Sequence, residues 1–213
     1  MRYIKKGEEP KRIVEWKAQK NENWEPTWDA LRGTEKTDLH DSLLREQGYI
    51  CCYCQLRIAK ENSHIEHLKP RHKYPDLALE YTNLLTSCQR QRSLPEHCGY
   101  HKDDWYDEKL MVSPLQENCA DFFKYTESGE ILPIDDPEKQ AAAATTIERL
   151  GLNLSQLRAS RRKVIEDILA DIDTLSSEEV QLLIEGFEQP NGNGEYEEFG
   201  SVIIYILKQY FIP

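Results

Sequence analysis

Apolar residues first recur at helical spacing in "TEKTDLHDSLLREQG", where Leu39, Leu43 and Leu44 share one face between a Thr/Asp start and Gly48 as the stop. The preceding stretch, "RIVEWKAQKNENWEPTWDALRG", is polar with scattered tryptophans and predicts short helices and turns. Around "YICCYCQLRI" the spacing predicts a tight turn between short strands. Residues 64–68 alternate like a strand that Pro70 ends, and "DLALEYTNLLTSC" reads as a loop passing into helix. After Trp105, "MVSPLQENCADFFKYTESGEILPI" predicts a loop followed by a hairpin centred on Glu127-Ser128-Gly129.

The remainder reads as helical. Asp136-Pro137 is an N-cap and first-turn pair, and Gly151 stops the helix that follows. Leu157, Val164, Ile165, Ile168, Leu169 and Ile172 form one buried stripe of a second helix. Ser176 and Glu179 make a capping box for a third, which ends near the surface loop "EQPNGNG". "FGSVIIYILKQYF" is apolar enough for a core helix. No internal repeat is visible.

With 213 residues, 39% of them hydrophobic, the chain can bury a core of its own. Its longest apolar run, near "VIIYIL", is far short of a membrane span, and "MRYIKKGEEP" lacks the apolar stretch of a signal peptide, so the protein reads as cytoplasmic. In a reducing compartment its six cysteines are metal ligands or buried thiols rather than disulfides.

The formal net charge of −11 argues against a polyanionic partner until its distribution is considered. Residues 57–102 carry eight Lys/Arg against five Asp/Glu, whereas residues 164–200 carry eleven acids and no Lys or Arg. The first region suits a polyanion; the second suits water or a basic partner.

The strongest chemical signal is the cysteine set. Cys51-x-x-Cys54 has the bite that places two thiolates at adjacent corners of a tetrahedron, and Cys88 with Cys98 can supply the others to a structural Zn2+. Cys52 competes with Cys51 for this role but makes a poorer turn with Cys54, and Cys119, alone among apolar residues, reads as a buried thiol. Between the cysteine pairs lies "SHIEHLKPRH", which holds Glu66 and three of the six histidines. Hydrolysis of a phosphodiester needs a nucleophile, charge neutralisation at the phosphate and help for the leaving oxygen. His67 suits the general base, provided its second nitrogen is held by a carbonyl. Lys69, Arg71, Lys73, Arg90, Arg92 and Lys102 cluster around this stretch as phosphate-contact candidates. His64 reads first as structural or phosphate-contacting, His72 as part of a solvated basic loop, and His40 as a surface residue. The basic run Arg158, Arg161, Arg162 and Lys163 reads as a solvated face open to a partner or nucleic acid.

Taken together, CxxC, Glu66-His67 with Leu68-Lys69-Pro70, Asn83-Leu84, the second cysteine pair and His101-Lys102 resemble the HNH, or ββα-metal, endonucleases. "MRYIKK" and "VSP…FFKYTESGEILP…TIERLGLNLSQLRASRR" extend the likeness over nearly the whole chain, to the nucleases found with retrons and in the Septu anti-phage system, the PtuB family. The resemblance implies a catalytic Mg2+ or Mn2+ on Glu66 and His101, with His97 as rival to His101, and a loop-pinning role for Asn83 beside the base His67. It also implies an ABC/SMC-like ATPase partner of the PtuA type, retron RNA–DNA and reverse transcriptase as further partners, and a role in defence. The sequence departs from the common pattern in having Glu66 where Asp is usual, and nine residues between Cys88 and Cys98.

The resulting expectation is a mainly α protein with a small ββα-metal zinc-knuckle module. Residues 1–44 form a helical lead-in, 45–106 the nuclease module and 107–213 a helical, partner-binding region. Its function is metal-dependent cleavage of nucleic acid, DNA rather than RNA, with Lys69, Arg71, Lys73 and Lys102 touching the phosphate chain. The alternatives are an RNA-cleaving effector acting on a substrate such as tRNA, and a zinc-knuckle scaffold without catalysis.

Overall fold

Helix α2, Gly33–Glu46, buries Leu39, Leu43 and Leu44 in the computed structural model, which describes residues 1–89, 95–170 and 172–211. Arg90 and Arg92 lie outside the described residues. Leu39 and Leu43 join Ile13 and Trp16 of helix α1, Lys11–Lys17, and also Leu31, Tyr81 and Leu84. Each fully buried aliphatic side chain of this kind stabilises the fold by about 1.5–3 kcal/mol. The N-terminal segment is thereby packed onto the strands that follow it. Gly48 ends the helix with φ +58°, and a Cβ there would meet the Tyr196 ring at 2.4 Å.

Strand β1, Ser63–His67, pairs antiparallel with β2, Leu84–Cys88, in a register that sets Glu66 opposite Leu85 and His64 opposite Ser87. Residues 84–88 are therefore extended rather than helical. All five β2 residues are buried, so a continuous apolar run that resembles helix by pattern is a covered strand. A four-residue helix, α3, Gly99–Lys102, follows and lies against β1.

Strands β3, Phe123–Tyr125, and β4, Ile131–Pro133, form the expected hairpin. Arg161 is buried at its turn and donates to Gly129 O at 2.7 Å and to Leu152 O at 2.8 Å. That arginine ties the hairpin to helix α5, Ser155–Leu169, instead of sitting on a solvated face. Helix α4, Pro137–Arg149, is capped by Asp136, whose carboxylate accepts from the Glu138 amide. Helix α6, Ser177–Glu188, starts on the Ser176/Glu179 capping box. It packs on helix α7, Gly200–Phe211, through Val180, Ile184, Ile203 and Leu207. Among the described residues, no helix is long and apolar enough to cross a membrane.

Candidate active site and metal centre

The turn after α2 brings Cys51 and Cys54 beneath the end of β2, where Cys88 and, ahead of α3, Cys98 complete a cluster. The four Sγ atoms lie within 4.8 Å of one another and all four residues are buried. A tetrahedral ion with metal–sulfur bonds of about 2.3 Å requires sulfur–sulfur edges of about 3.8 Å; Cys54 and Cys88 stand at 3.7 Å. The donor set thus fits a tetrahedral, thiolate-bound metal. Burial raises the Cys51 thiol's pKa, but hydrogen bonds from the neighbouring thiols outweigh this and hold it well below the ordinary value. Cys52 is buried outside the cluster, and burial with the adjacent Cys51 drives its pKa well up. Burial raises the lone Cys119 thiol to about 11. His97 Nδ1 lies 3.4 Å from Cys88 Sγ and 3.3 Å from Cys98 Sγ, beside this cluster rather than beside Glu66.

On the other side of β1 opens a cleft of about 800 Å3. Its floor holds His64, Glu66 and His67, with α2 and Trp28 on one wall and Gly99 and Tyr100 on another. Glu66 is buried, and its Oε1 accepts from Lys102 Nζ at 2.9 Å and from Tyr53 OH at 3.1 Å. Its Oε2 faces His64 Nε2 at 3.5 Å. Burial alone would raise the carboxyl's pKa, but Lys102 and His64 overcome it and hold the group below the usual range. For His64, burial works downward while the bond to Glu66 and its charge raise the pKa overall. His64 Nδ1 donates to Gln89 O at 2.6 Å, which leaves Nε2 aimed at Glu66. A Cβ on Gly99 would lie 2.6 Å from Glu66 Oε2 and 2.7 Å from His64 Nε2, so the glycine leaves open the space between them.

His67 is fixed differently. Its Nε2 donates to Ala78 O at 3.0 Å, and the Trp28 ring packs edge-on at 4.3 Å between centroids. Burial depresses its pKa, which keeps the imidazole neutral with the Nδ1 lone pair available. Asn83 is buried and engaged with backbone: Oδ1 accepts from Lys69 N, and Nδ2 donates to Lys69 O and Leu77 O. It thereby ties the chain leaving β1 to the chain entering β2.

Three expectations meet a different arrangement. Lys102 is buried against Glu66 and His67 O instead of standing open to solvent, because the short helix α3 turns it inward. His101, one residue earlier, is turned outward; it is exposed, donates to Arg149 O at 3.0 Å and does not line the cleft. His40 is buried, with Nε2 3.0 Å from Ser63 Oγ, instead of on the surface. Arg71 is on the cleft lining; Lys69, near the rings of Tyr74 and Tyr106, and Lys73, which is exposed, are not. Pattern reasoning missed Trp28, Lys36 and Gly99, whose nearness to the site depends on packing between segments distant in sequence.

No known family profile matches the chain. A Vibrio cholerae protein assigned as the HNH endonuclease of retron Vc95 is 30% identical over 144 residues, covering 65% of this chain and 68% of that protein. An Escherichia coli protein assigned as the retron Ec83 HNH endonuclease is 27% identical over 207 residues, covering 78% and 79%. The Septu protein PtuB of Bacillus thuringiensis is 27% identical over 92 residues, covering 42% of this chain and 35% of its own length. On this likeness the chain belongs to the HNH endonucleases of the retron and Septu type and is a phosphodiester hydrolase.

Proposed function

We propose that the protein is the metal-dependent nuclease of an anti-phage defence complex, cleaving DNA at the β1 cleft, with residues 45–106 as a ββα-metal module built from β1, β2 and α3. The single observation that carries this reading is the convergence of His67, Glu66 and His64 on one cleft floor. The four clustered cysteines fit a structural Zn2+ that shapes the loops beneath β2 and α3. Glu66 Oε2 and His64 Nε2 fit the protein ligands of a divalent Mg2+ or Mn2+, in place of the Glu66–His101 pair that the motif alone suggested. Both atoms point to the space beside Gly99. Such a cation, when bound, supplies charge neutralisation at the phosphate and at the leaving oxygen.

The remaining chemistry belongs to side chains. His67 Nδ1 takes the proton of an attacking water, because Ala78 O occupies Nε2 and fixes the tautomer. Lys102 and Tyr53 hold the Glu66 carboxylate in place through Oε1, and Asn83 holds the loop that carries Lys69 past the site. Lys69, Arg71 and Lys73 fit contacts to the phosphate chain. The acidic residues 164–200 suit docking to a partner; the likeness to a Septu protein supports a partner from such a system, proposed here as an ABC/SMC-like ATPase, with retron RNA–DNA and reverse transcriptase in the same assembly and a cytoplasmic setting. Substitution His67→Ala is expected to lower cleavage of DNA in Mg2+ or Mn2+ by about 100- to 10,000-fold with the fold intact. Near-normal cleavage by that variant overturns the assignment, and cleavage of RNA in preference to DNA overturns the choice of substrate.

A further inference from the structure

The cleft wall opposite Gly99 is made by the N-terminal segment, and one cation on it stands apart. Lys60 is paired with Asp41 at 2.7 Å, Arg71 with Asp29 at 3.0 Å and Lys102 with Glu66 at 2.9 Å. Lys36, on the second turn of α2, is exposed and has no carboxylate at salt-bridge distance among the described residues. Its ammonium instead sits 5.0 Å from the Trp28 ring centroid, on the same tryptophan that packs against His67. Partial burial, then Arg71 and Arg32, lower its pKa, with Asp29 only partly opposing them. Lys36 and Arg71 both line the cleft, and an anion there relieves the part of their repulsion that Asp29 does not offset.

Charge also selects one path across the molecule. Beyond Trp28 and Arg71, which line both, lies a second cleft of about 890 Å3, where Glu25, Asp29 and Asp76 add to Asp103 and Asp104, two acids that the clefts share. A phosphate chain is repelled there and accommodated on the α2 side.

We propose that Lys36 is a substrate-binding residue that receives a backbone phosphate of the nucleic-acid strand, and that this strand leaves the scissile position along α2, with Trp28 and Arg71 at its edge. The inference rests on the nuclease reading of the cleft, but its test does not require cleavage. In the otherwise intact chain carrying His67→Ala, binding of a fluorescein-labelled single-stranded DNA, and of RNA of the same sequence, is followed by anisotropy across a salt series without added Mg2+ or Mn2+. Each phosphate contact contributes about 0.7 to the slope of log affinity against log salt, which is roughly a three-fold change in affinity between 50 and 200 mM. Lys36→Ala is expected to reduce the slope by about that amount, Lys36→Arg to retain it, and Lys11→Ala, an equal charge change on a side chain 89% exposed, to leave it unaltered. A Lys36→Ala slope equal to the parent's, a loss matched by Lys11→Ala, or no binding by the parent at about 50 mM salt overturns the proposal. Equal effects on DNA and RNA mark a contact to phosphate alone, whereas an effect on neither overturns it. A parallel cleavage assay with His67 in place separates the two readings: if the Lys36 effect is present and no bond is cut, the nuclease reading fails and the Lys36 site stands.

Discussion

Replacing Lys102 with methionine isolates the buried ion pair beneath the cleft. The Lys102 side chain is 1% exposed and that of Glu66 8%, and their charged atoms are 2.9 Å apart. Removing one partner from such a pair strands the other in a poorly solvated site, at a cost of about 3–5 kcal/mol. Tyr53 OH and His64 still contact Glu66, which favours the lower end. For a chain of this size each kcal/mol moves Tm by about 2–4 °C, so Lys102→Met is expected to melt roughly 6–20 °C below the parent. The Glu66→Gln, Lys102→Met double variant removes the stranded charge and is expected to recover much of the loss, with a coupling on the order of 2 kcal/mol. Thermal and urea unfolding followed by circular dichroism measure both. A Lys102→Met protein that melts within about 2 °C of the parent, with its loss confined to nucleic-acid affinity, would show that Lys102 works outward as a phosphate contact and that the pairing with Glu66 adds little.

Three further outcomes are expected. Cys98→Ser should lose bound zinc and thermal stability together, since structural metal binding is folding free energy; metal analysis showing a stable, zinc-loaded variant would exclude Cys98 from the cluster. His64→Ala should raise the Mn2+ concentration for half-maximal cleavage at least about ten-fold while His101→Ala stays at the parent value, and the reverse ranking in a Mn2+ titration returns the ligand role to His101. Trp28→Ala should lower the cleavage rate at saturating substrate by roughly 2- to 13-fold with KM little changed, because an edge-to-face aromatic pair contributes about 0.5–1.5 kcal/mol to holding the His67 ring. Trp28→Phe should retain most of that rate, and an unchanged kcat in Trp28→Ala would show that the tryptophan does not position His67.

Local signals determined much of the architecture. The α2 face of Leu39, Leu43 and Leu44, the Asp136-Pro137 helix start, the Ser176/Glu179 capping box and the turn around Gly129 all lie within one or two turns of the residues they organise. Backbone propensity and capping chemistry act over that distance, so pattern is enough. The Cys51-x-x-Cys54 bite and the Glu66-His67 pair are likewise short-range features, and with Cys88 and Cys98 they pointed to metal and phosphodiester chemistry before any fold was considered.

Tertiary structure decided whatever depends on which way a side chain turns. The run at 84–88 is a strand because it is covered on both faces, a fact of packing that an apolar run does not encode. In α3 a single residue step, about 100° of helical rotation, separates an outward His101 from a buried Lys102, and Cys98 anchors that phase by leading the helix out of the cysteine cluster. Period-two alternation puts His64 and Glu66 on one strand face, but only the close approach of Gly99 leaves the space between their ligand atoms open. Trp28 and Lys36 reach the cleft because the N-terminal segment packs on Tyr81 and Leu84, about fifty residues away in the chain. Contacts between segments so far apart are set by burial of the shared core, and no periodicity within either segment records them.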